Sequence, residues 1–281
     1  MVLVTGAKGQ LGCDIINELN IRSISNKGID INDVDLTNKI KVSEYIKKEE
    51  PKYVIHCAGY TQVDKADSNE EEMKKCLDVN FEATKNIAEL CKEMNITLLY
   101  ISTDYVFDGK KLGEYEVYDK VNPLSNYGKS KAYAELAIEK LLQKYFIIRT
   151  SWLFGENGEN FINTIGKLSE NRDFINVVDD QVGSPTYTLD LSKAICDIIL
   201  TSKYGIYHIT NEGFCSRAEL AEKVIKVKNT KCIINHVTSD QYKTIAIRPL
   251  NSKLSKKKLD ENGFKRLPSW QEAVERYLKV K

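Results

Sequence analysis

Tyr127 and Lys131 are the residues of this sequence whose types and spacing point most directly to chemistry. They lie four residues apart in a segment that predicts a helix, so both side chains face the same way. A free phenol has a pKa of about 10 and is a weak acid at neutral pH. A lysine ammonium beside it favours the phenolate, lowers that pKa, and can also bond the ribose of a nicotinamide. The pair therefore predicts a proton donor with a cation that tunes it.

Spacing alone does not settle this assignment, because Tyr277 and Lys281 repeat it at the C-terminal end. We interpret that second pair as part of an exposed helix, since no strand rich in hydroxyl groups precedes it. Thr103, in contrast, ends an apolar run in I-S-T-D-Y-V-F-D-G, residues 101–109. Ligands of open α/β sheets bind at the carboxyl edge of the strands, where Ser102 or Thr103 could bond a carbonyl group. An ordinary turn after a strand would contain the same residue types.

Gly6, Gly9 and Gly12 follow an apolar run at residues 2–5 and precede a predicted helix. Glycine permits tight turns and close backbone approach, and a helix N-terminus offers unpaired N–H groups to a pyrophosphate. The spacing is GxxGxxG, whereas the common dinucleotide fingerprint is GxGxxG. A plain strand-to-helix turn is the alternative, but the position at the start of an alternating β/α pattern favours a dinucleotide.

Three aspartates, Asp30, Asp33 and Asp35, follow the second predicted strand. An acidic residue about 20 residues beyond the glycines can accept hydrogen bonds from the adenosine ribose. Asp30 has the spacing closest to that role, whereas Asp35 and Leu36 could flank the adenine. A solvated acidic loop is the alternative for each aspartate.

The charge of Asp30 also bears on the choice of cofactor. A carboxylate accepts bonds from a ribose 2′-hydroxyl group and repels a 2′-phosphate, so NADH is predicted to be used at least as well as NADPH. Arg22 and Lys27 lie nearby in the sequence and could reverse that preference.

Short apolar runs alternate with helical patterns over the first part of the chain, as in a parallel sheet covered by helices. The predicted strands are residues 2–5, 53–57, 97–102, 145–150 and 205–210. The predicted helices are residues 10–19, 74–94, a segment from Asn122–Pro123 past Leu136, and residues 190–200 and 217–226. The sequence thus predicts the α/β class, with a Rossmann-type doubly wound parallel sheet and a smaller C-terminal substrate-binding lobe.

The domain boundaries follow from the point at which the pattern loosens, after Thr150. We expect residues 1–151 to form an NAD(P)-binding Rossmann domain, with residues 187–210 returning to it. Residues 152–186 and 211–281 are expected to form the substrate-binding lobe.

Composition excludes several classes of function. Lys plus Arg number 41 and Asp plus Glu number 40, a net charge of +1, so neither nucleic acid nor an anionic membrane is an expected partner. Seven cysteines without a CxxC pair predict reduced thiols and a cytoplasmic protein. No apolar run approaches the roughly 20 residues needed to cross a bilayer. His56, His208 and His236 are scattered, so no metal site is predicted, and neither a phosphate-loop lysine motif nor a GxSxG elbow is present.

Seven segments give the chain a resemblance to a known family. They are T-G-A-K-G-Q-L-G at 5–12, H-C-A-G-Y-T-Q-V-D-K-A-D at 56–67, I-S-T-D-Y-V-F-D-G at 101–109, N-P-L-S-N-Y-G-K-S-K at 122–131, R-T-S-W-L-F-G at 149–155, D-Q-V-G-S-P-T at 180–186 and R-P-L-N-S at 248–252. In this order they resemble the dTDP-4-dehydrorhamnose reductases, which are extended short-chain dehydrogenases. The resemblance implies that NADPH or NADH reduces the 4-keto group of dTDP-4-dehydro-L-rhamnose, giving dTDP-L-rhamnose.

The resemblance also implies roles for individual residues. The implied catalytic residues are Thr103, Tyr127 and Lys131. The implied cofactor-binding residues, with Asp30 added from its spacing, are Gly6, Gly9, Gln10, Leu11, Asp35, Leu36, Ala58, Gly59, Tyr60, Tyr127 and Lys131. The implied substrate-binding residues are Thr103, Asp104, Trp152 and Arg248.

Some of these points stay open at the level of sequence. Gly59 and Tyr60 stand where the family often has alanine and histidine. Trp152 could instead be a core tryptophan, and Arg248 an exposed arginine. A homodimer is left open, as is the magnesium ion found at a dimer contact in some relatives, for which this sequence offers no ligand motif.

Two other functions also remain open. The first is a non-catalytic NADP-binding regulatory subunit similar to that of methionine adenosyltransferase, against which the complete Thr–Tyr–Lys set argues. The second is a nucleotide-sugar epimerase or dehydratase, because those enzymes share the Tyr–Lys pair and Asp104 follows Thr103 here. An epimerase or dehydratase regenerates its cofactor, whereas a reductase consumes it.

Overall fold

The structure, a computed structural model, describes residues 1–279. The strands in this part of the chain are β1 (Val2–Thr5), β2 (Asn26–Ile29), β3 (Tyr53–His56), β4 (Thr97–Thr103), β5 (Tyr145–Thr150), β6 (Leu153–Phe154), β7 (Phe174–Val178), β8 (Val182–Gly183), β9 (Thr186–Tyr187), β10 (Gly205–His208), β11 (Cys215–Ser216) and β12 (Ile233–Val237).

The helices alternate with these strands along the first two thirds of the chain. They are α1 (Gln10–Ile21), α2 (Lys39–Glu49), α3 (Val63–Ala66), α4 (Glu70–Leu77), α5 (Ala83–Glu93), α6 (Asn126–Leu141), α7 (Phe161–Ser169), α8 (Thr188–Ile199), α9 (Arg217–Lys228), α10 (Lys257–Glu261) and α11 (Trp270–Lys279). A π-helical turn, Asp78–Glu82, joins α4 to α5, and a 3₁₀ turn, Asp104–Val106, follows β4. Every helix of the described chain is too short or too polar to span a bilayer.

The main sheet has six strands in the order β10-β5-β4-β3-β1-β2, and all neighbouring pairs are parallel. From β1 the chain passes to β2 on one side and then crosses to β3 on the other. The carboxyl ends of β1 and β3 therefore border a switch point, which is where open α/β sheets bind ligands. This arrangement confirms the predicted Rossmann-type class.

Both faces of the sheet are covered, which explains why its inner strands are mostly apolar, whereas the edge strand β2 reads N-K-G-I and is partly exposed. On one face α1 and α8 bury a cluster that includes Ile15, Leu99 and Ile195. On the other face α2, α5 and α6 bury a second cluster, which includes Tyr100 and Ile138. All seven residues of β4 are buried as a result.

A third core lies outside the main sheet. Residues of α7, α9 and α11 form it together with the parallel pair β7 and β12, around Phe154, Tyr187 and Trp270. Between these segments, α8 packs on α1 and β10 pairs with β5, so both belong with the main sheet.

The helix that carries Tyr127 begins later than the sequence predicts. The predicted start at Asn122–Pro123 is wrong, because Asn122 is used in a loop, where its N–H group donates to the Val106 carbonyl oxygen at 2.8 Å. The helix α6 starts instead at Asn126, where the Ser125 hydroxyl oxygen caps it by accepting from the Gly128 N–H group at 3.1 Å.

The predicted helix at residues 74–94 is confirmed as a continuous helical stretch, which begins earlier, at Glu70, and contains the π-helical turn at Asp78–Glu82. The π-helical turn between α4 and α5 inserts one extra residue and shifts the face that each helix presents.

Candidate active site

The carboxyl end of β4 and the first turns of α6 bring Thr103 and Tyr127 together. Gly128 makes this approach possible, because a Cβ atom there would lie 2.3 Å from the Tyr105 carbonyl oxygen. The Tyr127 ring meets the Tyr105 ring edge-on, with centroids 5.6 Å apart, and the Tyr127 phenol is hydrogen-bonded with Thr103. Two of the three residues predicted to be catalytic are thus in contact.

Lys131 lies one turn further along α6 and is buried. Its Nζ atom donates to the Ile101 carbonyl oxygen at 2.7 Å and stands 4.4 Å from the centroid of the Tyr100 ring. Burial lowers the pKa of Lys131 to about 8, while the negative charge of Glu135 acts in the opposite direction.

The state of the Tyr127 phenol differs from the one that the sequence predicts. Burial raises the pKa of Tyr127 and outweighs the hydrogen bond with Thr103, which lowers it. The predicted lowering of the Tyr127 pKa is therefore wrong, because removal from water penalises the phenolate. The consequence for chemistry is favourable, since a neutral phenol still holds the proton that a general acid must donate.

Thr103 and Asp104 form a short polar chain at the end of β4. The Thr103 hydroxyl donates to Asp104 Oδ1 at 3.0 Å and accepts from the Tyr105 N–H group at 3.2 Å. Asp104 is buried, and its Oδ2 atom accepts from the Ser252 hydroxyl at 2.5 Å. Burial raises the pKa of Asp104, and the bonds from Ser252 and Thr103 lower it. The R-P-L-N-S segment is thereby joined to the site.

A buried ion pair supports this end of the sheet, and sequence reasoning missed it. Glu135 follows Lys131 by one helical turn, and its carboxylate accepts three hydrogen bonds from Arg149 at 2.7, 3.0 and 3.2 Å. Ser102 also donates to Glu135, at 2.5 Å. The only sequence signal was a charged residue on the helix face that carries Tyr127 and Lys131.

The loop after β1 has the shape that a dinucleotide requires. Gly6 has φ +64°, and a Cβ atom on Gly12 would lie 2.1 Å from the Gly6 carbonyl oxygen. Only glycines allow α1 to come this close to the loop. Gly9 caps α1 without a side-chain bond, and the first turn contains no acidic residue, so the N-terminus of α1 is suited to binding an anion.

The first two residues of α1, Gln10 and Leu11, lie beside this loop. Gln10 donates to the Glu159 carbonyl oxygen at 3.1 Å, while its buried Oε1 atom has no partner within the described chain. Leu11 is buried beneath the loop. The residues present therefore fit a nicotinamide dinucleotide.

The aspartates predicted to bind the adenosine occupy different positions. Asp30 follows β2 beside the glycine loop, where its carboxylate accepts from the Lys8 N–H group at 3.0 Å and the Ile31 N–H group at 2.9 Å. Asp35 closes its own turn by accepting from the Thr37 N–H group at 2.9 Å, and hydrogen bonding from Thr37 lowers the pKa of Asp35. Leu36 packs at the edge of the second core cluster. Asp33 accepts from the Asp30 N–H group at 2.9 Å.

The two cations that could reverse the cofactor preference are engaged elsewhere. Arg22 pairs with Glu18 and with Asp197, each at 2.6 Å. Lys27 pairs with Glu49 at 2.7 Å.

The segment after β3 is held by an asparagine that the sequence did not reveal. Asn80 lies buried in the π-helical turn, accepts from the Tyr60 N–H group at 2.8 Å and donates to the Tyr60 carbonyl oxygen at 3.0 Å. A Cβ atom on Gly59 would lie 3.1 Å from Asn80 Oδ1 and 3.6 Å from Lys131 Nζ. Ala58 closes the other side, 2.6 Å from the position of a Cβ atom on Gly6. In the sequence, the available signal for this role was that Asn80 occupies a position on the apolar face of the predicted helix.

Trp152 has an unusual backbone and a stacked side chain. Its φ of 50° is in the left-handed region, which costs a residue other than glycine about 1–3 kcal/mol. Gly183 leaves room for the indole, because a Cβ atom there would lie 3.0 Å from Cε2 and Cζ2 of Trp152. The guanidinium of Arg217 lies 3.6 Å from the centroid of the indole ring. The ring is partly exposed and packs at the margin of the third core, which it does not enter fully.

Arg248 is engaged with a carboxylate. Its Nη2 atom donates to Asp64 Oδ2 at 2.6 Å and its Nη1 atom to Asp64 Oδ1 at 3.1 Å. It also bonds Tyr105, which stands beside Tyr127. The structure thus places Arg248 next to the catalytic candidates with part of its hydrogen-bonding capacity in use.

Other sites are sparse. Among residues 1–279 no group of three His, Cys, Asp or Glu side chains is placed to hold a metal ion.

The second Tyr–Lys pair includes Lys281, which lies outside the described residues. Its Tyr277 is buried in the third core and donates to the Gly155 carbonyl oxygen at 2.8 Å, so the prediction of an exposed helix is wrong for this tyrosine.

Known proteins are similar to this chain in both sequence and fold. The chain matches the model of the RmlD substrate binding domain over residues 1–281. It is 39% identical to a dTDP-4-dehydrorhamnose reductase of Aggregatibacter actinomycetemcomitans, over 97% of this chain and 96% of that protein. The crystal structure of a dTDP-4-dehydrorhamnose reductase from Bacillus anthracis in complex with NADP has 39% identity and a TM-score of 0.95, covering 100% of this chain and 99% of that one. The crystal structure of a dTDP-4-dehydrorhamnose reductase from Clostridium acetobutylicum has 34% identity and a TM-score of 0.96, covering 99% of this chain and 98% of that one.

Proposed function

We propose that this chain, which belongs to the family of the RmlD substrate binding domain, reduces the 4-keto group of dTDP-4-dehydro-L-rhamnose to give dTDP-L-rhamnose. NADPH or NADH is the reductant, and the NADP complex of the Bacillus anthracis relative supports NADPH. The observation that carries the proposal is the convergence of Thr103, Tyr127 and Lys131 at the carboxyl edge of the sheet.

When bound, the reduced nicotinamide supplies a hydride to the carbonyl carbon. Tyr127 donates its phenolic proton to the carbonyl oxygen, which becomes the product hydroxyl group. The Thr103 hydroxyl donates its single proton to Asp104 Oδ1. We assign it to the same carbonyl oxygen in the complex, where it places that oxygen against the phenol.

Lys131 has two further N–H donors beyond its bond to Ile101, and we assign them to the nicotinamide ribose. Gly6, Gly9, Gln10 and Leu11 would hold the pyrophosphate against the N-terminus of α1.

The remaining cofactor contacts come from the ends of β2 and β3. Asp30 would bond the adenosine ribose, and Asp35 with Leu36 would border the adenine. Ala58, Gly59 and Tyr60 would line the middle of the cofactor, at the switch point between β1 and β3.

We assign the sugar nucleotide to the second lobe. Residues 1–151 with 187–210 would carry the cofactor, and residues 152–186 with 211–281 the substrate. The third core, which is separate from the two clusters of the main sheet, supports this division. Thr103, Asp104 and Trp152 would face the sugar. Arg248 keeps donors beyond those that bind Asp64 and stays a candidate for the phosphates.

The two rival functions make different demands on the cofactor. A reductase consumes one reduced cofactor for each product formed, whereas an epimerase or dehydratase consumes none overall and a regulatory subunit forms no product. Incubation with NADPH and a panel of dTDP-linked 4-keto sugars, with cofactor and product both counted, decides between them.

The cellular setting is part of the same proposal. All seven cysteines are free, which supports the reducing environment of the cytoplasm. A homodimer is proposed as well, and light scattering of the purified protein tests it.

A further inference from the structure

Arg217 was not among the residues that the sequence singled out, yet it lies among the side chains of the candidate site. It is the first residue of α9. Its guanidinium stacks on the Trp152 ring and lies 5.3 Å from the centroid of Phe161. Its charge also acts on Tyr105 and Asp104, the residues that follow Thr103 at the end of β4. Arg217 therefore stacks on a predicted substrate-binding residue, and its charge acts on the residues at the end of β4.

The guanidinium of Arg217 has no hydrogen bond or ion pair with any residue between 1 and 279. Five other arginines of the chain each pair with a carboxylate; they are Arg22, Arg149, Arg248, Arg266 and Arg276. Arg172 also lacks such a partner, but it is exposed to water, whereas Arg217 is partly buried. A charge taken partly out of water without a partner is costly, and a bound anion would remove that cost.

A second cation lies near Arg217. The partial positive charge of the α9 N-terminus is offset by Glu219 of its first turn, which accepts from the Ser216 N–H group at 2.6 Å. Arg248 lies close enough for the two positive charges to interact, although Asp64 balances Arg248. Asp104, whose carboxylate interacts electrostatically with Arg217, is buried and bonded to Ser252 and Thr103.

We propose that Arg217 binds the diphosphate group of the nucleotide-sugar substrate, with its guanidinium plane held by the stack on Trp152. A planar fork of N–H donors matches two phosphate oxygens at once, which a lysine cannot do. This inference rests on the proposed function, because it names the group of that substrate that Arg217 recognises. The phosphates of the cofactor have a separate place at the N-terminus of α1.

Titration of the full-length protein with dTDP, thymidine and NADPH tests the assignment, with binding measured by calorimetry. Arg217→Gln should weaken dTDP binding by roughly 10- to 100-fold, the range expected for a charged hydrogen bond. Thymidine and NADPH binding should stay as in the unaltered protein. Arg172→Gln removes an exposed arginine outside the site and serves as the matched control, with no expected effect on any of the three.

Arg217→Lys covers the case in which the glutamine variant fails to fold, because lysine keeps the charge but lacks the fork. The dTDP affinity of Arg217→Lys should lie between the affinities of the unaltered protein and of Arg217→Gln. If Arg217→Gln is unfolded, the affinity of Arg217→Lys should still be lower than that of the unaltered protein. Unchanged dTDP affinity in the folded variants overturns the assignment, and so does an equal loss for NADPH, which would place Arg217 at the cofactor. If the unaltered protein reduces a dTDP-linked 4-keto sugar, only the assignment of Arg217 has failed; if it neither binds dTDP nor reduces such a sugar, the proposed function has failed with it.

Discussion

Tyr127→Phe is the substitution that separates proton transfer from every other role of this residue. Phenylalanine keeps the ring that meets Tyr105 at 5.6 Å between centroids, but it removes the hydroxyl that bonds Thr103. Loss of general-acid help costs on the order of 10²–10⁴ in rate. At about 1.4 kcal/mol for each factor of ten, this is roughly 3–5.5 kcal/mol of transition-state stabilisation. Cofactor affinity should stay within a few-fold, because Lys131 and the glycine loop are untouched.

The assay is turnover of a dTDP-linked 4-keto sugar at saturating NADPH, with NADPH binding measured separately. Tyr133→Phe is the matched control, since Tyr133 lies on the same helix, is 48% exposed and has a ring contact with the edge of Phe81. That control should turn over normally. Near-normal turnover by Tyr127→Phe would refute the assignment of Tyr127 as the proton donor, and parallel losses in both variants would point to damage to α6.

Three further predictions concern pH, cofactor choice and stability. Burial lowers the pKa of Lys131 to about 8, so the lysine is charged below that pH and kcat/KM should fall as the pH rises above it. Lys131→Arg should move this fall in kcat/KM to higher pH. A fall at the same pH in the variant would show that another group causes it. NADH should be used at least as well as NADPH, because the carboxylate of Asp30 would repel a 2′-phosphate, and the neighbouring cations Arg22 and Lys27 are paired elsewhere. A kcat/KM ratio strongly in favour of NADPH would contradict this. Glu135→Gln should lower the free energy of unfolding by about 3–5 kcal/mol in urea titrations, because it leaves the buried Arg149 without its charge partner. A loss below about 1 kcal/mol would show that the ion pair does not stabilise the fold.

The main sheet could be predicted because its strands are short, buried and parallel. The apolar runs at β1 and β5 coincide with the structure at Val2–Thr5 and Tyr145–Thr150, since both faces of these strands are covered and polar residues enter only at their ends. The start of α6 could not be placed, because Asn122–Pro123 and Ser125 are both good helix-start signals. Only the packed loop decides between them.

The candidate site was predictable where chemistry depends on local spacing, and less so where it depends on burial. The helical spacing of Tyr127 and Lys131 places them on one face whatever the rest of the fold does. The direction of the Tyr127 pKa shift depends on how much water the folded chain removes, which no spacing reveals. Asn80 and Arg217 act through contacts between distant segments, so their positions become meaningful only in the structure.

The most direct test of the central claim is the stoichiometry of the reaction. The purified protein is incubated with NADPH and dTDP-4-dehydro-L-rhamnose, and both the cofactor consumed and the dTDP-sugar alcohol formed are counted. A reductase with Tyr127 as its proton donor should consume one NADPH for each dTDP-L-rhamnose produced and should form none without NADPH. Product formed with no net consumption of NADPH, or NADPH binding with no product from any dTDP-linked 4-keto sugar, would contradict the proposed function.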